Sequence, residues 1–152
     1  MKIKEVLEAL KLTLRRLQFP HSVVELLLYI WQLPQNIAGI LVLAFVGVSI
    51  PFDIRIDLVR WPSSFFYFSD RMKGGVSLGQ YIILAGKYFR DEDTWKHERG
   101  HHLQSMVLGP LYLVVIGLPS LLWAAWWNPK RSRDYYWFYT ERWADKLGGV
   151  ER

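Results

Sequence analysis

Two long stretches without a charged side chain restrict what this sequence can become. The first runs from Leu26 to Phe52, bounded by Glu25 and Asp53, and the second runs from Met106 to Trp127. Each reaches the roughly 20 apolar residues that cross a bilayer. Hydropathy therefore predicts a membrane-associated protein, with a buried soluble hairpin as the alternative for the first run. Pro34, with Gln32, Gln35 and Asn36 around it, is expected to kink that run or split it into a hairpin. The content of 8 Trp in 152 residues suits a lipid boundary, where indole rings settle. That length favours one domain over residues 1–152.

The net charge of +5 is spread along the chain rather than gathered in one block. It fits contact with an anionic lipid surface, and no nucleic acid partner is expected. The absence of Cys excludes disulfides and thiolate metal sites. Met1–Gln18 places Ile3, Val6, Leu7, Leu10, Leu14 and Leu17 at helical spacing, with Lys2, Lys4, Lys11, Arg15 and Arg16 on the remaining surface. Residues 1–19 are therefore expected to form an amphipathic surface helix rather than a signal peptide. Residues 23–52 are the hydrophobic span or hairpin. Residues 53–93 change character and predict a small sheet. Ile54, Ile56 and Leu58 alternate with charged neighbours, Phe65–Phe68 is a second strand, Lys73-Gly74-Gly75 marks a turn, and Val76–Leu84 is a third strand. The expected fold class is mainly α with a small β-sheet (α+β).

The chemistry concentrates in Thr94–Ser105. His97-Glu98-Arg99-Gly100-His101 matches H-E-x-x-H. Asp91-Glu92-Asp93-Thr94 supplies cap residues and acids at a helix start, so residues 94–108 should form a helix ending at Gly109-Pro110. Residues four apart share a helical face, so His97 and His101 aim two imidazoles at one point, as a tetrahedral Zn²⁺ needs. Glu98 lies beside the first ligand, where its carboxylate can activate a water next to the metal. The bland alternative is a solvated helix that happens to carry these residues. Downstream, Glu141 and Asp145 are also four apart, so one carboxylate could bind the metal while the other holds a ligand histidine by its free N–H. Asp134 is a further candidate if Glu141 fails. His102 points away from the two ligands and reads as a surface or supporting residue, and His21 as an interface residue. Tyr135, Tyr136, Tyr139 and Arg142 lie near the third-ligand segment, and one of them could stabilise an oxyanion.

His97-Glu98-x-x-His101 followed by Glu141-x-x-x-Asp145 resembles the gluzincin pattern of thermolysin-type zinc peptidases. The metzincin pattern does not fit, since it needs Gly at 104 and His at 107 where this chain has Gln104 and Val107. The gluzincin resemblance covers about a dozen residues. It implies His97, His101 and Glu141 as zinc ligands, Glu98 as general base and Asp145 behind His97. It also implies that a strand beside the metal pairs with substrate main chain, and Tyr81, Ile82, Ile83 and Leu84 are placed in that role. The sequence further resembles small bacterial integral membrane proteins, which implies the bacterial cytoplasmic membrane as its location.

If Glu141 is a ligand, Met106–Trp127 cannot cross a membrane once. A straight helix of that length is about 33 Å long, yet His101 precedes it and Glu141 follows it. The segment is expected to fold back at Gly117-Leu118-Pro119, making residues 110–127 a hydrophobic hairpin, followed by a third-ligand helix over 134–147. The expected function is a zinc-dependent, membrane-associated metallopeptidase acting on a peptide or protein substrate. The alternative is a small non-enzymatic membrane scaffold with structural zinc or none.

Overall fold

The uncharged run after Ser22 does not form one rod. In the computed structural model, which describes residues 22–47, 55–57, 64–126 and 134–152, it breaks at Gln32. Helix α1 (Val23–Trp31) and helix α2 (Leu33–Gly47) diverge by 85°. Pro34 sits in the first turn of α2, where it is tolerated but has no N–H for the preceding helix. Side-chain amides take up carbonyls at the break: Gln32 Nε2 donates to Leu28 O at 3.1 Å and Asn36 Nδ2 to Tyr29 O at 2.9 Å. The outcome is a right-angle elbow rather than an antiparallel hairpin. Among the described residues no single helix is long and apolar enough to cross a membrane; the bent pair reaches that length and composition only together. The expected helix over residues 1–19, His21, and the basic loop before Asp134 lie outside the described residues.

The sheet has four strands: β1 (Arg55–Asp57), β2 (Phe65–Ser69), β3 (Gly75–Leu78) and β4 (Tyr81–Ala85), in the order β1-β2-β4-β3. β2 and β4 are parallel, with Tyr67 opposite Ile83, and the outer pairs are antiparallel. Every residue of β2 and β4 is buried. On one face Phe65, Tyr67, Tyr81 and Ile83 pack with Leu43 of α2; on the other Phe66, Phe68, Ile82 and Leu84 pack with Phe89 and Trp95. A strand covered on both faces reads as a continuous apolar run, which is why these segments lack alternation.

The expected single strand over Val76–Leu84 is two strands of a hairpin. Gly79 turns it with φ 63°, a conformation that favours glycine at the first central position of a two-residue turn. The turn is held from two sides. Gln80 N–H donates to Asn36 Oδ1 at 2.8 Å, and His102 Nδ1 lies 2.6 Å from Gly79 O. His102 is thus fully buried and structural, not a surface residue.

Helix α3 (Glu92–Leu108) starts where expected, with Asp91 Oδ1 accepting from Thr94 N–H at 3.1 Å, and stops at Gly109. The chain reverses there, not at Gly117-Leu118-Pro119. Past a short 3₁₀ turn at Gly109–Leu111, the backbone is helical through a π segment (Leu113–Gly117) into α4 (Leu118–Trp126). Pro119 leaves the carbonyl of Val115 without its helical donor. Tyr139 Oη fills that gap at 2.6 Å. A 3₁₀ turn at Tyr135–Trp137, capped by Asp134, precedes α5 (Tyr139–Gly148).

α3 and α5 approach until backbone meets backbone. A Cβ on Gly100 would overlap Ala144 O, and one on Gly148 would overlap Lys96 O. In an ordinary helix interior, Gly→Ala adds about 1 kcal/mol of stability. Here Gly100→Ala is expected to destabilise by about 1–3 kcal/mol, because the added methyl must force α5 away. Denaturant unfolding measures the sign directly, and a more stable variant would contradict the close approach.

Candidate metal centre

Because α3 and α5 touch along the Gly100 face, His97 and His101 look onto Glu141 and Asp145. All four are buried. The ligand atoms of His97, His101 and Glu141 lie within 4.8 Å of one another. Glu141 Oε2 stands 3.2 Å from His97 Nε2 and 3.4 Å from His101 Nε2. The two imidazole rings meet nearly edge to face, at 88°.

Partners behind the histidines decide which nitrogens face this point. Asp145 Oδ1 lies 2.7 Å from His97 Nδ1, and a carboxylate there accepts the Nδ1 proton. Gln104 Nε2 donates to Thr140 O at 2.9 Å, which turns its Oε1 toward His101 Nδ1 at 2.8 Å. Both histidines therefore carry hydrogen on Nδ1 and turn Nε2 toward the centre, as a lone pair in the neutral ring and as a donor to Glu141 when a second proton is bound. Glu141 is held in turn: Ser120 Oγ and Thr140 Oγ1 donate to its Oε1 at 2.6 and 2.9 Å, leaving Oε2 for the cluster. Three acceptors converging in a buried space repel unless a proton or a cation lies among them. The set of two imidazole nitrogens and one carboxylate oxygen fits a divalent metal ion such as zinc.

Electrostatics agree with this arrangement. Burial alone would pull the His97 imidazole down, but Glu141, Glu98 and Asp145 outweigh it and its pKa is raised. Burial pushes the Glu141 carboxyl up, yet hydrogen bonds from His101 and His97 reverse this and hold it far below the carboxylate range. Glu98 is raised by burial, only partly offset by His101 and His97. Its Oε2 is buried with no hydrogen-bond partner, the kind of atom that has a task elsewhere. Gly75 of β3 makes room for it, since a Cβ there would overlap Glu98 Oε1.

These side chains form the floor of a cavity of about 710 Å³, with β3 as one wall and α4 as another. Tyr135 and Tyr136 reach its lining; burial, with Glu141 and Glu98 adding, pushes the Tyr135 phenol up and keeps it a donor. The other two expected oxyanion candidates do not reach it. Tyr139 is committed to Val115 O, and Arg142 is exposed outside the lining. Asp134 is also exposed and caps the 3₁₀ turn, so it is no ligand. Tyr81, Ile82, Ile83 and Leu84 cannot pair with a substrate strand, because β4 is flanked on both edges. Among the described residues the open edge beside the site is that of β3.

Gln104, Thr140, Ser120 and Gly75 were missed from sequence. Gln104 carried a signal, since it lies three residues after His101 on the same helix. Ser120 carried none, because its contact depends on the reversal at Gly109. Comparison with family models, with curated proteins and with solved structures finds no match.

A proton on His97 must leave before an ion takes that nitrogen. Metal affinity is therefore expected to fall as pH drops through a raised His97 pKa, beginning above the ordinary imidazole value of about 6.5. Asp145→Asn removes one of the carboxylates that hold the proton, so the onset should move to lower pH. At high pH the same change should cost roughly 10–100-fold in affinity, through loss of ligand orientation. Zn²⁺ titrations at a series of pH values test both, and an onset unmoved by Asp145→Asn would refute this account of His97.

Proposed function

We propose that this chain is a zinc-dependent, membrane-associated metallopeptidase. The observation that carries the reading is the pairing of a convergent His97–His101–Glu141 donor set with the buried Glu98 carboxylate, whose Oε2 has no partner among the described residues, in the same cavity lining. His97, His101 and Glu141 would hold the ion, which supplies Lewis acidity to a substrate carbonyl and an attacking water when bound. Glu98 would be the group that takes the proton of the attacking water and gives it to the leaving amine. A pKa raised by burial above the ordinary carboxylate value makes Glu98 a stronger base than a free carboxylate, as the acceptor of a water proton must be. Tyr135 and Tyr136, the phenols of the cavity lining, would be the donors to a developing oxyanion, Tyr135 by exchanging its bond to Glu141.

Among the described residues, the sheet edge beside the cavity is the outer edge of β3. In an antiparallel ladder, alternate residues turn their N–H and C=O outward. The Ala85 N–H to Gly74 O bond sets the phase, so Gly75 and Ser77 face outward from β3. Tyr112 Oη already donates to Ser77 O at 2.8 Å, which among the described residues leaves Gly75 N–H, Gly75 C=O and Ser77 N–H for a peptide.

A structural-zinc scaffold is the competing reading. It needs a closed site, but among the described residues no fourth His, Cys, Asp or Glu joins the group, and His102 is spent on Gly79. Membrane association is supported by the exposed apolar side chains of α1, α2 and α4, among them Val24, Phe45, Leu121 and Trp126.

Glu98→Gln keeps size but cannot accept the proton. It should retain zinc near the wild-type level by elemental analysis and lose nearly all peptide hydrolysis by mass spectrometry. His97→Ala and Glu141→Ala should lose zinc itself. Zinc loss in Glu98→Gln comparable to His97→Ala, or intact cleavage, would remove Glu98 from the role of base.

Attachment to the membrane is expected to be hydrophobic. The protein should stay in the pellet through high salt and alkaline carbonate, and full release by carbonate would favour a buried-core role for both apolar runs.

A further inference from the structure

We infer that the cleft receives an extended, uncharged and apolar segment of a membrane-inserted protein, arriving from the lipid side. This rests on the peptidase reading and narrows its substrate class. The cavity lining contains Glu98, Glu141 and the two histidines, and no Lys, Arg or Asp among the described residues. A charged side chain laid along the α4 wall, away from the two carboxylates, would lose its water and find no ionic partner there, at a cost no residue of that wall repays.

The wall opposite β3 is apolar. It is built from Leu113, Gly117, Leu118, Leu121 and Ala124, and its one hydroxyl, on Ser120, is spent on Glu141. Leu118 and Leu121 line the cavity while remaining 53% and 66% exposed, so the inner wall and the bare outer face meet on one helix. Val114 of the preceding π segment and Leu122 and Trp126 of α4 extend that exposed apolar surface. An aqueous cleft usually has a polar rim; this lip presents hydrocarbon to whatever surrounds it.

The backbone of the substrate supplies the second half of the match. An apolar segment unwound for cleavage exposes N–H and C=O groups that lipid cannot satisfy. The outward groups of Gly75 and Ser77 offer them partners next to Glu98, and the Tyr112 hydroxyl on Ser77 O ends the ladder there. β3 thus compensates the unwound main chain while α4 covers its side chains.

The test uses the full chain carrying Glu98→Gln, in nanodiscs, with photocrosslinking peptides of equal length. One peptide has an uninterrupted apolar centre; the other carries two Lys in that centre. Burial of one leucine-sized side chain predicts roughly 10–100-fold tighter binding of the apolar peptide. Crosslinks should map by mass spectrometry to Gly75–Ser77 and to α4. Leu121→Glu, at an exposed position, should narrow or reverse the preference in favour of the Lys peptide. The same apolar centre, built into a transmembrane host in the same nanodisc, should crosslink to the same residues. Equal binding of both peptides, crosslinks confined to α1 and α2, or crosslinking of the free peptide but not the inserted host would overturn the inference. If binding follows the expected order but the wild-type protein cleaves neither peptide, the peptidase reading fails while the assignment of the cleft stands.

Discussion

Everything at the centre depends on two helices being allowed to touch. Most helix pairs keep 8–10 Å between axes because side chains intervene. At Gly100 no side chain intervenes, and the backbone of α3 rests on the Ala144 carbonyl of α5. Remote parts of the sequence then face each other with little slack. The histidines of α3 can share a point with the carboxylate of α5 only if the spacing is this short. Gly148 repeats the arrangement further along α5, against Lys96 O, so the contact is fixed at two positions rather than one.

Around that contact lies a buried polar shell rather than an apolar one. Ser105 of α3 donates to Gln32 Oε1 at 2.8 Å, and Gln35 Nε2 donates to both Ser105 Oγ and Gly109 O. Trp31 Nε1 adds a bond to Met106 O at 3.0 Å. These bonds join the elbow of the first apolar run to the C-terminal end of α3, where helix carbonyls would otherwise be unpaired. Three fully buried amides in an apolar run look like a defect in hydropathy terms. Their partners explain them, because each amide closes a backbone gap or binds another element.

The legible parts of this chain were local ones. The start and stop of α3 followed from Asp91 and from Gly109-Pro110, and His97, Glu98 and His101 are grouped by helical periodicity alone. Glu141 and Asp145 were visible as a pair, and the structure brings both to the histidines. What escaped was long-range. The reversal was expected at Gly117-Leu118-Pro119 because proline and glycine coincide there. Tyr139 repairs the carbonyl that Pro119 strands, so the helix continues and the turn falls eight residues earlier, at Gly109. The Gly79 hairpin hid inside the uncharged Val76–Leu84 run, because its second arm, β4, is buried on both faces and shows no alternation. That error moved the expected substrate strand from β3 to its neighbour. No local pattern distinguishes a central strand from an edge strand when both are apolar.

The clamp on the Gly79 turn acts as a register lock for the cleft. Side chains alternate along β3, and the present phase puts the bare Gly75 under Glu98 while Val76 faces the opposite side against the Leu43 cluster. A slip of one residue in the hairpin would exchange the two faces. Valine methyls would then press into the carboxylate, and the outward N–H and C=O groups would belong to Val76 and Leu78 instead. Asn36 from the elbow and His102 from α3 hold the turn from both sides against that slip. His102, four residues beyond Glu98 on the same helix, thus keeps a strand in phase with the carboxylate without touching it.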